Sequence, residues 1–251
     1  MEWLVVKNKK KNINYRKTIF PKNPTYNNMM YYSSFIKLLL GMIIVILGFI
    51  MHHYITFNHR KVKFKNVTNY KDRYIIPENI VFLGDSITEI YDLDKFYPDN
   101  NVVNSGISGH KTGNILDDMY NRVYRYNPSK VFLLIGTNQI VEDDSSKIAA
   151  DIAKISDLIH ENRPLAEVYV ESIYPVNHDV GEAPGKRKNE KIMKTNRIIK
   201  TNADSHNYIF INLYDDLIDD SGNLISDYTY DGLHTNEKGF EKITEILKKY
   251  I

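Results

Sequence analysis

The stretch around Ser86 combines residue types that are suited to a nucleophilic serine. An apolar run at 80–83 leads through Gly84 and Asp85 into Ser86, at the point where a strand would turn into a helix. A serine at such a turn stands clear at the carboxyl end of a sheet, where backbone N–H groups can face a developing negative charge. The spacing therefore makes Ser86 a candidate nucleophile. The competing interpretation is a serine that only caps a helix.

A candidate general base and its carboxylate lie near the end of the chain, within the residues Tyr-Asp-Gly-Leu-His-Thr-Asn at 230–236. Asp231 precedes His234 by three residues, in a turn opened by Gly232. This spacing puts a carboxylate beside an imidazole and can hold the tautomer whose far nitrogen accepts a proton from a serine. An isolated pair of this kind is usually structural, so its chemistry depends on closing onto Ser86.

Two further stretches offer donors for an oxyanion. Gly106 follows the second strand-like run, and without a Cβ its N–H can approach an oxyanion closely; the alternative is a glycine that only serves a tight turn. Asn138 follows Ile-Gly-Thr after the third run, and its carboxamide N–H is a suitable donor. The alternative for Asn138 is an Asx turn or a helix cap.

The elements that must position these residues alternate between strand and helix from residue 79 onward. Strand-like runs cover 80–83, 102–104, 131–135, 168–173 and 209–213. Segments with apolar residues at helical spacing separate these runs, and four helices are predicted. One helix lies over 186–204. The inward faces of the other three are Ile115, Met119, Val123 and Tyr126 in the first, Ile148, Ile152, Ile155 and Ile159 in the second, and Phe240, Ile243, Ile246 and Leu247 in the last, which runs from 237 to the end.

This pattern predicts an α/β fold, a five-stranded parallel sheet in a three-layer α/β/α, flavodoxin-like arrangement. Sites in such sheets lie at the carboxyl ends of the strands, and the polar stretches described above fall there.

Together these stretches resemble the four sequence blocks of the SGNH (GDSL-type) hydrolases, in the order of that family. The blocks are Gly84-Asp85-Ser86, Gly106, Gly136-Thr137-Asn138 and Asp231-Gly232-Leu233-His234, and the resemblance covers about 79–251. It implies a serine esterase or acylhydrolase. The implied roles are Ser86 as nucleophile, His234 as general base, Asp231 as its orienting partner, and the Ser86 N–H, the Gly106 N–H and the Asn138 side chain as oxyanion donors. One departure is Gln139, where many members carry Asp.

Composition excludes several other kinds of site. The chain has no cysteine, so it forms no disulfide, thiolate metal site or cysteine nucleophile. The histidines at 110, 160, 178 and 206 lack metal-ligand spacing, and we expect surface or structural roles, with His110 near the substrate pocket. The run Gly109-His110-Lys111-Thr112 lacks the spacing of a phosphate loop. We therefore expect no metal, no cofactor and no nucleic-acid partner.

The N-terminal part differs in charge from the remainder. Residues 1–79 carry 14 Lys and Arg against 3 Asp and Glu, a net charge of +11, whereas residues 80–251 carry 19 against 28, a net charge of −9. We predict a basic flexible tail at 1–34, a transmembrane helix at 35–57, a linker at 58–78 and the SGNH hydrolase domain at 79–251. The apolar run 38–51, extended past Lys37 and past two histidines, approaches the ~20 residues needed to span a bilayer.

Two alternatives to this anchor remain open at the level of sequence. A signal peptide is one, but no small-x-small cleavage site follows Met51, which favours an uncleaved anchor. A start at Met29 or Met30 is the other, and it would leave a lead resembling an export signal. We expect a single-pass protein of the cell membrane with its catalytic domain outside the cytoplasm.

Three hypotheses for function follow. The first is a membrane-anchored serine esterase that removes small acyl groups, such as acetyl, from a carbohydrate or lipid ester through an acyl-serine. The second is an O-acyltransferase that acetylates a cell-wall glycan with the same residues. The third is a non-catalytic binding module on the same fold. The intact Ser86, Asp231 and His234 favour an enzyme over the third hypothesis.

Overall fold

The computed structural model describes residues 79–251 and, before them, only residues 40–43 and 47–48. The chain divides into two units, Met1–Tyr74 and Ile75–Ile251. In the first unit, the few described residues are helical and exposed. Among the described residues, no helix is both long enough and apolar enough to cross a membrane. The expected tail at 1–34, the linker at 58–78 and most of the expected anchor at 35–57 lie outside the described residues.

The second unit is built on five parallel strands. They are β1 (Asn79–Gly84), β2 (Val102–Gly106), β3 (Pro128–Leu134), β4 (Glu167–Glu171) and β5 (Ile209–Ile211). Neighbours pair in parallel in the order β2-β1-β3-β4-β5. This order is the flavodoxin-like one, so the prediction of a five-stranded parallel α/β sheet is confirmed.

Seven α-helices connect or follow these strands within 79–251. They are α1 (Ser86–Glu89), α2 (Leu93–Phe96), α3 (Thr112–Asp117), α4 (Met119–Arg122), α5 (Ser145–Asn162), α6 (Asn189–Asn202) and α7 (Glu237–Leu247). Short 3-10 helices at Tyr124–Tyr126, Asp204–His206, Ser226–Tyr228 and Lys248–Tyr250 complete the connections.

The two faces of the sheet are buried against different helices. In β1, Val81 and Leu83 join one apolar cluster with residues of α3 to α6, whereas Ile80 and Phe82 join a second cluster with residues of α1, α2 and α7. Side chains alternate between the faces of a strand, so each helical layer receives every second residue. On the second face, stacked aromatic rings cross from β1 to β4, with centroids 4.9 Å apart for Phe82 and Phe132 and 4.8 Å apart for Phe132 and Tyr169.

One predicted helix is interrupted. The face of Ile115, Met119, Val123 and Tyr126 suggested a continuous helix, but α3 and α4 are separated at Asp118, and a 3-10 turn follows Val123. Asn and Asp side chains compete with helical backbone bonds, and this segment is rich in them. Asp118 itself adopts φ −136° and ψ 43°, which is outside the helical range, so α3 ends there and α4 begins after it.

The strand order brings the predicted site loops together. Gly84, the last residue of β1, pairs with Gly106 of β2 on one side and with Leu134 of β3 on the other. The loops after β1, β2 and β3 are therefore adjacent at the carboxyl edge. The strands β2 and β3 lie on opposite sides of β1, so the strand order reverses at β1. Sheets of this type bind ligands at the point of such a reversal. The connection between β5 and α7 carries Asp231 and His234.

Candidate active site

The turn after β1 presents Ser86 as the first residue of α1. The Asp85 side chain caps this short helix by accepting from the Ile87 N–H at 3.1 Å. Gly84 must be glycine because a Cβ there would lie 2.4 Å from the Leu134 carbonyl oxygen and 2.1 Å from Thr88 Oγ1. The sharp turn leaves Ser86 half-buried, with its side chain free to meet the loop before α7.

Ser86, His234 and Asp231 form a continuous hydrogen-bonded chain. Ser86 Oγ lies 3.1 Å from His234 Nε2, and His234 Nδ1 lies 2.7 Å from Asp231 Oδ2. The carboxylate only accepts, so Nδ1 carries the ring proton and Nε2 is left to accept from the serine hydroxyl. The structure thus brings together the three residues that the sequence analysis placed in this role, and their arrangement allows the proton of Ser86 to pass to His234.

The Asp231–His234 turn is fixed by its own backbone. Asp231 Oδ1 accepts from the N–H groups of Leu233 and His234 at 2.9 Å and 2.8 Å. Partial burial raises the pKa of Asp231, but the hydrogen bonds from the ring and backbone of His234 and from Leu233 outweigh it and lower the pKa below its ordinary value. Gly232 adopts φ +85° and packs so closely that a Cβ would lie 2.0 Å from the Asn177 carbonyl oxygen.

Asn138 lies in the loop after β3, beside the loop after β2. Its Nδ2 donates to the His110 carbonyl at 3.0 Å, which uses one of its two hydrogens. The next residue, Gln139, is buried and connects the two loops by two hydrogen bonds. Its Oε1 accepts from the Thr112 N–H, and its Nε2 donates to Thr112 Oγ1, both at 2.8 Å. The Thr112 hydroxyl already donates its hydrogen to Asp151 at 2.7 Å, so towards residue 139 it can only accept. Glutamine can therefore make both bonds, whereas a carboxylate, which only accepts, could make one.

Gly106 does not have the free N–H that the sequence analysis expected. Its N–H donates to Asn104 Oδ1 at 2.9 Å. A Cβ at this position would lie 2.2 Å from the Glu89 nitrogen, so the missing side chain allows β2 to pack against α1. Gly106 therefore has a packing role in this structure, and its donor is already engaged.

Gly109, in the loop that follows β2, offers a different backbone donor. No described residue accepts a hydrogen bond from its N–H. It adopts φ +76° with open space where a Cβ would stand, and it immediately precedes His110, whose carbonyl contacts Asn138. The sequence signal for it was present, since a second glycine follows Gly106 by three residues, but only the hydrogen-bond pattern distinguishes the two.

Two ionisable side chains, Asp85 and Arg187, lie near the reactive residues. Burial raises the pKa of Asp85 to about 6, against the lowering effects of the Ile87 N–H and of the charges on His234 and Arg187. Asp85 Oδ2 is buried without a hydrogen-bond partner among the described residues. Arg187 is half-buried, and its guanidinium contacts the loop that carries Asn138.

A second arginine, Arg122, stabilises the turn that carries Ser86. Arg122 is buried and donates to the carbonyls of Gly84 and Ser105 at 2.9 Å and 2.5 Å. Its Nη1 lies 2.8 Å from His110 Nδ1. Arginine only donates, so His110 Nδ1 accepts and the proton of the neutral ring is on Nε2. Burial and then the charge of Arg122 lower the pKa of His110, which favours that neutral form.

The remaining predicted histidines lie in structural contacts. Ring nitrogens of His160 and His178 contact the carbonyls of Asn207 and Arg187, and His206 contacts the Asp157 carboxylate. Within the described part of the chain, no group of three or more His, Cys, Asp or Glu side chains is arranged to hold a metal ion.

Comparison with known proteins identifies relatives of this chain. The GDSL-like Lipase/Acylhydrolase family matches residues 82–242. The chain is 30% identical over 177 residues to an Escherichia coli N-acylneuraminate cytidylyltransferase, a match that covers 68% of this chain and 40% of that protein. The chain thus spans about 40% of the length of this curated relative.

Solved structures give the same result for the fold. A Streptococcus pneumonia protein described as a candidate platelet activating factor is 32% identical, with a TM-score of 0.66 over 75% of this chain and 89% of that chain. A GDSL-like lipase from Bacteroides thetaiotaomicron is 22% identical, with a TM-score of 0.60 over 77% of this chain and 96% of that chain. The second of these is informative for the fold alone.

Proposed function

The chain belongs to the GDSL-like Lipase/Acylhydrolase family, and we propose that it cleaves small acyl esters, such as acetyl esters, with Ser86 as the nucleophile. The observation that supports this most strongly is the chain of contacts from Ser86 Oγ through the His234 ring to Asp231. It supplies the nucleophile, the base and the orienting carboxylate of a serine hydrolase in one place.

The first half of the reaction forms an acyl-serine. Ser86 Oγ attacks the ester carbonyl carbon while its proton moves to His234 Nε2, and the carbonyl oxygen becomes an oxyanion. Asp231 holds the imidazole and stabilises its charged form. The bond to the alcohol then breaks, and the alcohol leaves with the proton from His234.

The second half releases the acyl group. Water attacks the acyl-serine as His234 takes one of its protons, and a second tetrahedral oxyanion forms. The bond to Ser86 then breaks, and the proton returns from His234 to the serine oxygen, which gives a free carboxylic acid and the original enzyme. The half-exposed His234 and Asp231 side chains, 31% and 38% exposed, support access of water to this step.

The oxyanion needs donors that are free and close to Ser86. We assign the Ser86 N–H, the second hydrogen of Asn138 Nδ2 and the Gly109 N–H. Gly109 replaces the expected Gly106 in this assignment because the Gly106 N–H is occupied by Asn104. Removal of one such donor typically costs about 100- to 1000-fold in kcat.

A carbohydrate is the alcohol component that we favour. The Tyr230 ring is 73% exposed and directly precedes Asp231, and an exposed aromatic ring beside the reactive turn is suited to stack on the apolar face of a sugar. The E. coli relative is named for N-acylneuraminate, an acylated sugar, which is consistent with this choice.

The experiment that tests this function measures acyl release from p-nitrophenyl esters of increasing chain length and from acetylated oligosaccharides, with wild type and Ser86→Ala. We expect turnover to be highest for acetyl esters and to be lost in the variant. Free acetate and acetylated sugar are followed together in the presence of an acceptor oligosaccharide. Acetylated sugar that forms faster than acetate would favour acyl transfer over hydrolysis, and full activity in Ser86→Ala would reject the mechanism.

We also propose that residues 35–57 anchor the enzyme in the cell membrane, with residues 79–251 outside the cytoplasm. The support is the apolar run 38–51 and its flanks. A truncated chain that begins near Lys65 should be soluble and active. Protease added to intact cells should degrade the catalytic domain, whereas digestion only after lysis would reverse the orientation.

A further inference from the structure

Arg187 lies in the loop between β4 and α6, two residues before α6 begins. The side chains of its sequence neighbours, Lys186 and Lys188, are exposed and make no hydrogen bond or ion pair with another described residue, whereas Arg187 is half-buried. A half-buried arginine is normally held by several acceptors, because each unpaired N–H loses its hydration.

The acceptors of Arg187 come from two loops. Its Nη1 donates to the carbonyls of Ala183 and Pro184 at 3.3 Å and 3.2 Å, within its own loop. Its Nε donates to the Thr137 carbonyl at 2.9 Å, and its Nη2 donates to Asn138 Oδ1 at 3.3 Å. The guanidinium is therefore held by its own loop while it contacts two consecutive residues of the loop after β3.

These contacts decide which way the Asn138 amide faces. Oδ1 faces a donor, Arg187 Nη2, and Nδ2 faces an acceptor, the His110 carbonyl. A flipped amide would set N–H against N–H at the arginine and oxygen against oxygen at His110. Both bonds would be lost at once, so Arg187 and His110 together keep Nδ2 on the side of the Gly109 loop.

The charge of Arg187 also acts on this amide. Arginine remains protonated at all working pH values, and a bond from a charged donor is stronger than one between neutral groups. A cation at Oδ1 withdraws electron density from the amide and makes the Nδ2 hydrogens better donors. The effect is larger in a site that partly excludes water, where charges are weakly screened.

We propose that Arg187 is a positioning residue for the oxyanion: it orients and polarises the Asn138 amide that donates to the substrate carbonyl. This rests on the proposed serine esterase function. The oxyanion exists only during the reaction, so loss of Arg187 should lower kcat far more than it raises KM.

The test is a double-mutant cycle measured with p-nitrophenyl acetate. Arg187→Ala in the wild-type background should lower kcat by about 10- to 100-fold, whereas in the Asn138→Ala background it should lower kcat by less than about 3-fold. Equal losses in the two backgrounds, or a change confined to KM, would overturn the proposal. Thermal unfolding checks that each variant is folded, and if Arg187→Ala unfolds, the cycle is repeated with Arg187→Lys.

Two controls separate this role from others. Lys186→Ala removes an exposed neighbouring charge and should leave kcat unchanged; a loss equal to that of Arg187→Ala would indicate a general charge effect and overturn the proposal. Arg187→Lys keeps the charge but not the two-residue contact, and should restore part of the lost kcat. Ser86→Ala is measured beside them, since retained activity there would reject the esterase mechanism itself rather than the role of Arg187.

Discussion

Ser86 Oγ and His234 Nε2 lie 3.1 Å apart although 148 residues separate them in the chain. The contact joins the first turn of the sheet to the last loop before α7. It forms because the turn after β1 and the loop after β5 meet at one edge of a parallel sheet. The proposed chemistry depends on this closure, and the first two predictions test it.

A serine-directed fluorophosphonate should label Ser86 in wild type. The reagent requires a serine activated by a base, so Ser86→Ala should not be labelled and His234→Ala should be labelled at least about 1000-fold more slowly. Ser221→Ala, which removes an exposed serine hydroxyl, is the matched control and should label like wild type. An unlabelled wild-type protein would support the non-catalytic alternative. The labelled peptide is identified by mass spectrometry.

Asp231→Asn should lower kcat by roughly 1000- to 10,000-fold while the protein remains folded. The amide can donate to His234 Nδ1, which places the ring proton on Nε2 and prevents that nitrogen from accepting the proton of Ser86. Asp227→Asn changes an exposed carboxylate paired with Lys238 and serves as the control. Steady-state kinetics on p-nitrophenyl acetate measure both, and similar values for the two variants would contradict the tautomer argument.

Gly106→Ala should lower the free energy of unfolding by at least about 1–3 kcal/mol, because the new Cβ would lie 2.2 Å from the Glu89 nitrogen. The matched control is Gly113→Ala in α3, where nothing lies within 4 Å of the added atom. That change should be neutral or stabilising by up to about 1 kcal/mol. Denaturant unfolding monitored by circular dichroism measures both, and equal stability of the two variants would show that β2 and α1 tolerate a wider separation.

The buried carboxyl group of Glu171 should make the free energy of unfolding fall as pH rises. Its side chain is buried in β4 and accepts from the Tyr174 hydroxyl at 2.6 Å. Burial raises the pKa of Glu171 from 4.5 to about 7, against the lowering effect of Tyr174. The folded protein therefore binds a proton between pH 4.5 and 7 that the unfolded chain has lost. Protonated Glu171 therefore contributes roughly 3 kcal/mol to the free energy of unfolding. The contribution is fully present below pH 4.5 and is lost as pH rises through 7.

Glu171→Gln tests this dependence, since the amide oxygen can still accept from Tyr174 and carries no charge. Urea unfolding between pH 4.5 and 8 should show a flatter profile for the variant and greater stability than wild type above pH 7. Glu245→Gln, at an exposed position on α7, should keep the wild-type slope. Parallel profiles for wild type and Glu171→Gln would contradict the raised pKa.

Tyr230→Ala should raise KM for an acetylated oligosaccharide by several-fold and leave p-nitrophenyl acetate turnover unchanged, because only the sugar has a face to stack on the ring. Tyr230→Phe keeps the ring and should behave like wild type on both substrates. A loss of activity on both substrates in Tyr230→Ala would place Tyr230 in the support of Asp231 instead, and an unchanged KM for the sugar would remove the argument for a carbohydrate.

The spacing of residues in the sequence was sufficient to predict the parallel sheet and the contact between Asp231 and His234. Apolar runs separated by helical stretches gave the parallel sheet, since each run is too short and too uniformly apolar for anything but a strand buried on both faces. Asp231 and His234 are three residues apart, and a turn opened by Gly232 places them in contact without help from distant parts of the chain. The break at Asp118 was missed because the helical spacing of the apolar residues continues past a residue whose own backbone is not helical.

Tertiary structure alone decided which groups are free to act. Gly106 ends β2 and Gly109 lies in the loop that follows, but the Gly106 N–H is occupied because the Asn104 side chain accepts from it. Arg187 meets Asn138 across 49 residues of chain, and Arg122 meets Gly84 across 38. Such contacts depend on where the sheet brings separate loops and on how each side chain turns. A donor can face the substrate only if no neighbour in space has already taken it, and that neighbour is not a neighbour in sequence.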